Sequence, residues 1–175
     1  MSKKYLLALL LMGLFVILTC LIVLKASYKK PPPAFPDELP SFVLTTPDGD
    51  TYNTDSLHKC RIMVVFFSPD CLFCEHEGKE LVRHRADFSE IVILFITNAS
   101  ADNASVFAHH TGIHAIPNCK VLVDTTYKIP RLLGLRTIPT TLLYNNDKKL
   151  IKAFEGEVNA LKLLKTIHEH ETEEE

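Results

Sequence analysis

The chain has 175 residues, 47% of them apolar, and a formal charge of −2. That length holds one ordinary globular domain plus an appendage, and a near-neutral balance leaves nucleic acid out of the expected partners.

The appendage comes first. Tyr5 to Leu24 is a 20-residue run without a charge, roughly 30 Å long as a helix and long enough to cross a bilayer. We expect a membrane anchor over residues 1–25. A cleaved signal peptide is the rival, but its apolar region would run about 7 to 15 residues and end at a small-residue cleavage site. Cys20 could be read as a lipid-attachment cysteine, although Thr19 fits poorly beside it and the apolar run continues to Leu24. Lysines flank both ends, Lys3 and Lys4 against Lys25, Lys29 and Lys30, so charge asymmetry does not choose an orientation. Residues 26–40 carry five of the ten prolines and read as a semi-rigid extended linker.

The folded part is expected over 41–170. Phe42 to Thr46 and Thr51-Tyr52, joined at Pro47-Asp48-Gly49-Asp50, predict a hairpin. Ile62 to Phe67 is rich in β-branched and aromatic residues and breaks at Ser68-Pro69-Asp70, the pattern of a strand buried on both faces. Cys71 and Cys74 follow at the expected first turn of a helix, near each other and near unpaired backbone N–H groups. Thiol-disulfide exchange needs this arrangement: one acidic sulfur attacks, and a second within reach resolves the mixed disulfide. Cys71 is the candidate nucleophile and Cys74 the resolving residue.

The helix is predicted to reach about Phe88, with Phe73, Glu77, Leu81, His84 and Phe88 on one face. Glu77, one turn after Cys74, could exchange a proton with that thiol if partly buried; an ordinary solvated helix glutamate is the alternative. A second buried strand at Ile91 to Ile96, a helix capped by Ser100 or Asp102 and a third strand at Lys120 to Asp124 give the alternation of a mostly parallel sheet. A helical turn over Tyr127 to Gly134, an antiparallel hairpin of Thr140–Tyr144 and Leu150–Phe154, and a helix from about Glu157 complete the chain. That helix should present Val158, Leu161, Leu164 and Ile167 to the core and fray into the acidic tail 171–175.

Taken in order, FFSPDCLFC, Glu77 three residues after the second cysteine, and GLRTIPTTLLYNND resemble the thioredoxin fold. The nearer resemblance is to membrane-anchored thiol-disulfide oxidoreductases of the TlpA/ResA type. It covers roughly Pro40 to Ile167. It implies a mixed sheet with flanking helices, an N-terminal hairpin and an inserted strand, KVLVD, behind one transmembrane helix. It also implies a cis peptide bond at Pro139, with Ile138 and Pro139 binding an extended substrate. The chain departs from that pattern at three positions: Asp70 replaces a tryptophan before the first cysteine, Phe73 replaces a proline before the second, and Val65 stands where thioredoxin carries a buried aspartate.

The resemblance implies a reductant of disulfides on exported proteins, apocytochrome c being one candidate substrate. It implies a transmembrane electron-donor protein as partner and no small-molecule cofactor. A membrane-tethered dithiol is most useful where disulfides persist, so the expected location is the bacterial inner membrane with the domain in the periplasm. The alternatives are a structural disulfide, a zinc half-site without its remaining ligands, a copper-binding accessory protein using His109 or His114, and a redox-inert binding module. Cys60 and Cys119 are expected two strands apart, about 10 Å, too far for a disulfide. His76 could stabilise a thiolate at Cys74, while the other histidines read as surface residues and no metal site is expected.

Overall fold

The computed structural model describes residues 4, 11–21 and 35–174. It divides into two units, Met1–Pro32 and Pro33–Glu175. In the first, residues 11–21 are helical. Among the described residues no helix is long and apolar enough to cross a membrane, and the span expected over 5–24 lies in part outside them, as does most of the proline-rich linker.

The second unit is built on a seven-stranded sheet. Its strands are β1 (Val43–Thr45), β2 (Thr51–Asn53), β3 (Arg61–Phe66), β4 (Ile91–Thr97), β5 (Cys119–Val123), β6 (Thr140–Tyr144) and β7 (Leu150–Glu155). Helices α1 (Leu72–Arg83), α2 (Ala101–Thr111), α3 (Lys128–Leu132) and α4 (Ala160–Glu174) connect or follow them. The strand order is β2-β1-β5-β4-β3-β6-β7. The central strands β3, β4 and β5 are parallel, while β1 and β6 run antiparallel to their neighbours.

Strand β3 lies inside this sheet between β4 and β6, and alternate side chains feed two cores. Met63, Val65 and Phe67 pack with Leu81 of α1, Phe107 of α2 and Leu163 of α4. Ile62, Val64 and Phe66 pack on the other face with Ile129 of α3, Leu142 and Tyr144. Period-two alternation with both faces covered explains why β3 reads as an unbroken apolar run. Helix α2 begins at Ser100, whose hydroxyl accepts from the Asn103 amide at 3.3 Å, and ends at Gly112, whose φ of +82° is the left-handed cap conformation.

Six expectations need correction. The linker does not run to residue 40: Leu39 is buried in the second core and its amide donates to Lys148 O at 2.8 Å. Apolar burial there recruits the end of the proline-rich stretch into the domain. Helix α1 stops at Arg83 rather than Phe88, because His84 leaves helical geometry and tight turns carry the chain to β4; Phe88 reaches the core from that turn. The stripe on α1 omits Phe73, which is 63% exposed. Helix α4 starts at Ala160, with Asn159 Oδ1 accepting from the Lys162 amide at 2.8 Å. Of the expected stripe, Val158 and Ile167 are buried and Leu164 packs partly buried against the first core, but Leu161 is exposed and Ala160 and Leu163 fill the core in its place. The acidic end stays helical to Glu174, and Glu171 forms an ion pair with Arg61.

Candidate active site

Strand β3 runs into the site. The Phe67 amide continues its ladder to Ile96 O at 3.0 Å, and the Cys71 amide closes the Ser68-Pro69-Asp70 turn by donating to Ser68 O at 3.1 Å. Cys71 is itself the N-cap of α1, with extended φ and ψ, and its sulfur accepts from the Cys74 amide at 3.2 Å. Asp70 is exposed and is not the cap. The Cys71 sulfur therefore occupies the place where a helix start offers free N–H groups and favours negative charge.

Both cysteines are free thiols. Cys71 is half-buried, whereas Cys74, one turn inside the helix, is 1% exposed and packs with the first core. Burial, and next the hydrogen-bonded Cys71 sulfur beside it, push the Cys74 thiol far above its ordinary range, with Glu77 adding in the same direction.

Glu77 is fully buried. The Thr141 hydroxyl donates to Oε1 at 2.5 Å, and the Val158 amide donates to Oε2 at 3.3 Å. Burial raises this carboxyl to about 7; the two hydrogen bonds pull the other way, and the Glu157 carboxylate adds to the rise. Thr141 escaped the sequence reading. Its signal was positional: it pairs across the sheet with Val65 on β3, so its side chain belongs to the same inward row.

The Ile138–Pro139 peptide bond is cis. Ile138 is 43% exposed and lines a cavity of about 240 Å³ together with Phe67, Ser68, Asn98 and Tyr127. Pro139 O accepts from the Gly156 amide at 2.9 Å, which ties this loop to the end of β7. Leu72 and Phe73, between the cysteines, point outward at 78% and 63% exposure and line a groove with His76 and Glu157. The N-cap geometry explains them: with Cys74 turned into the core, the two intervening residues face solvent.

The remaining candidates lie elsewhere. The His76 ring is hydrogen-bonded to Glu157, not turned to Cys74. His110 meets Glu75 at 3.0 Å, and the rings of His109 and His114 stand 4.9 Å apart beside a cavity that includes Cys119. Among the described residues no group of three or more histidine, cysteine or acidic side chains could hold a metal. Cys60 and Cys119 are free, at the starts of β3 and β5 with β4 between them; burial pushes the Cys119 thiol up to about 12 and raises Cys60.

Solved structures share this architecture. The exposed lipoprotein thioredoxin of Streptococcus pneumoniae matches with a TM-score of 0.61 at 22% identity, over 74% of this chain and 99% of its own. A secreted disulfide oxidoreductase of Mycobacterium tuberculosis, homologous to E. coli DsbE, matches at 0.64 and 19%, over 73% and 94%. Peroxidoxin BcpB of Mycobacterium tuberculosis matches at 0.65 and 16%, over 77% and 96%. No curated protein matches the sequence. At these identities the likeness carries the fold, which is thioredoxin-like. The AhpC/TSA family profile matches residues 36–153, two thirds of the sequence and nearly all of the sheet, and the chain belongs to the AhpC/TSA family.

Proposed function

We propose that the protein is a thiol-disulfide oxidoreductase working through Cys71 and Cys74. The observation that carries this reading is the asymmetry of the two sulfurs: one half-open at a helix N-terminus, the other enclosed beside a carboxyl that titrates near 7. The Cys71 thiolate attacks a substrate disulfide, forming a mixed disulfide and releasing one substrate thiolate. Cys74 then gives its proton to Glu77 and attacks the Cys71 sulfur. The second substrate thiolate leaves, and the enzyme holds a Cys71–Cys74 disulfide. Two electrons have passed to the substrate. Ile138 and Pro139 receive an extended segment of that substrate, and the reaction needs no small-molecule cofactor.

In its finer form the reading is of the TlpA/ResA type: a reductant of disulfides in exported proteins, anchored by residues 5–24 in the bacterial inner membrane with its domain in the periplasm. A transmembrane protein re-reduces it, and apocytochrome c is a candidate substrate. The length of the apolar run and the use of a dithiol where disulfides persist support this. The test is the reduction potential of the pair, read by alkylation and mass spectrometry in glutathione buffers. A value more negative than about −200 mV fits a reductant; a pair that never forms a disulfide overturns the enzyme reading.

Family membership and the peroxidoxin neighbour favour a second reading, with a peroxide as oxidant. Cys71 would then take one peroxide oxygen as a sulfenic acid, releasing an alcohol or water, and Cys74 would condense with it, releasing water. Peroxide consumption measured beside insulin reduction separates the two.

A further inference from the structure

Glu77 is held from two sides by groups that carry no charge. Thr141, buried on β6 two residues after Pro139, donates to Oε1 at 2.5 Å, and the Val158 amide, just before α4, donates to Oε2 at 3.3 Å. We propose that Thr141 is a positioning residue for disulfide exchange, its hydroxyl holding the Glu77 carboxyl one helical turn from Cys74 whether that carboxyl is ionised or protonated. The inference rests on the oxidoreductase reading, in which Glu77 takes the Cys74 proton.

The chemistry favours a hydroxyl in this position. An amide N–H can only donate, so Val158 serves the carboxylate and, once the proton has arrived, the oxygen that stays unprotonated. A hydroxyl rotates: it donates to the carboxylate and accepts from the carboxylic acid once the proton has arrived. The carboxyl thus keeps a partner on Oε1 through the transfer, in an interior where an unpaired polar group is costly. Thr141 also lies on the strand that follows the Ile138–Pro139 bond and pairs with β3 through Val65. The hydrogen bond therefore joins the cysteine helix to the proposed substrate loop.

The charged and titratable groups around Glu77 are few. Cys74 shares its helix, and Glu157 approaches from the turn between β7 and α4, where it is bonded to His76 of α1. From strand β6, the group on the Glu77 carboxyl is the uncharged Thr141 hydroxyl.

The experiment uses the full chain in its reduced form, with ¹³C-labelled glutamate side chains. The Glu77 carboxyl resonance, identified by its loss in Glu77→Gln, is titrated in wild type, Thr141→Val and Thr141→Ser. The pH profile of disulfide exchange is measured in the same proteins. Thr141→Val should move the carboxyl midpoint and the exchange profile upward together by about one pH unit, and Thr141→Ser should return both. Thr141→Ala, which adds no atoms to the core, gives the same reading if the valine variant folds poorly. A midpoint that stays in place without the hydroxyl, or that serine fails to return, overturns the role of Thr141. A wild-type chain that exchanges no disulfide at any pH overturns the oxidoreductase reading instead.

Discussion

The backbone N–H of Cys74 donates to the sulfur of Cys71 at 3.2 Å, so the residue that opens α1 caps the amide of its own proposed partner. The sulfur at the helix start is half-open and accepts from a backbone N–H, whereas burial keeps the partner's thiol protonated. Cys71→Ser should therefore reduce insulin turnover to background, since a hydroxyl is a far weaker nucleophile than a thiolate. Cys74→Ser should accumulate a mixed disulfide with substrate, visible as a covalent adduct by non-reducing mass spectrometry. Normal turnover in either variant removes the pair from the mechanism.

Glu77→Gln should slow resolution of the mixed disulfide by about 10²-fold, the lower end of what a positioned proton acceptor contributes. Stopped-flow measurement of the second step, separated from the first, gives the number.

Stability should also change with pH in a definite direction. The carboxyl rises from 4.5 unfolded to about 7 folded, so between those values the folded state binds more protons than the unfolded one. Its favourable contribution is complete below pH 4.5, declines as pH rises to about 7, and is absent above. Two and a half pH units correspond to about 3 kcal/mol. Urea unfolding from pH 4 to 8 should show this decline, and Glu77→Gln should flatten it.

Phe73 and Leu81 lie on the same helix, yet they should respond differently to truncation. Leu81 is fully buried, and Leu81→Ala should cost about 2–5 kcal/mol. Phe73 stands beside Cys71 largely in solvent, so Phe73→Ala should leave stability within about 0.5 kcal/mol. Chemical denaturation of both variants checks the outward orientation.

Leu39 provides a test of the domain boundary. It is buried against the second core, so Leu39→Ala should cost at least about 2 kcal/mol, as for other buried leucines. No measurable loss would return residues 35–40 to the linker.

The order of elements and the spacing of the two sulfurs are legible in the chain. An apolar run rich in β-branched residues, a turn at Ser68-Pro69-Asp70 and a cysteine on either side of two residues are local patterns, and local patterns survive in one dimension. What the neighbouring groups face depends on packing. Phe73 satisfies a helical stripe on paper, but with Cys74 and Glu77 both turned inward its own direction is outward. Leu39 reads as linker until the β6–β7 turn supplies Lys148 O for its amide. The Thr141 hydroxyl and the Glu77 carboxyl, 64 residues apart in the chain, meet only because β6 lies antiparallel against β3 with α1 packed over it. Burial and hydrogen-bond partnership between distant residues are properties of packing, and they set the proton affinity of the buried carboxyl on which the proposed chemistry turns.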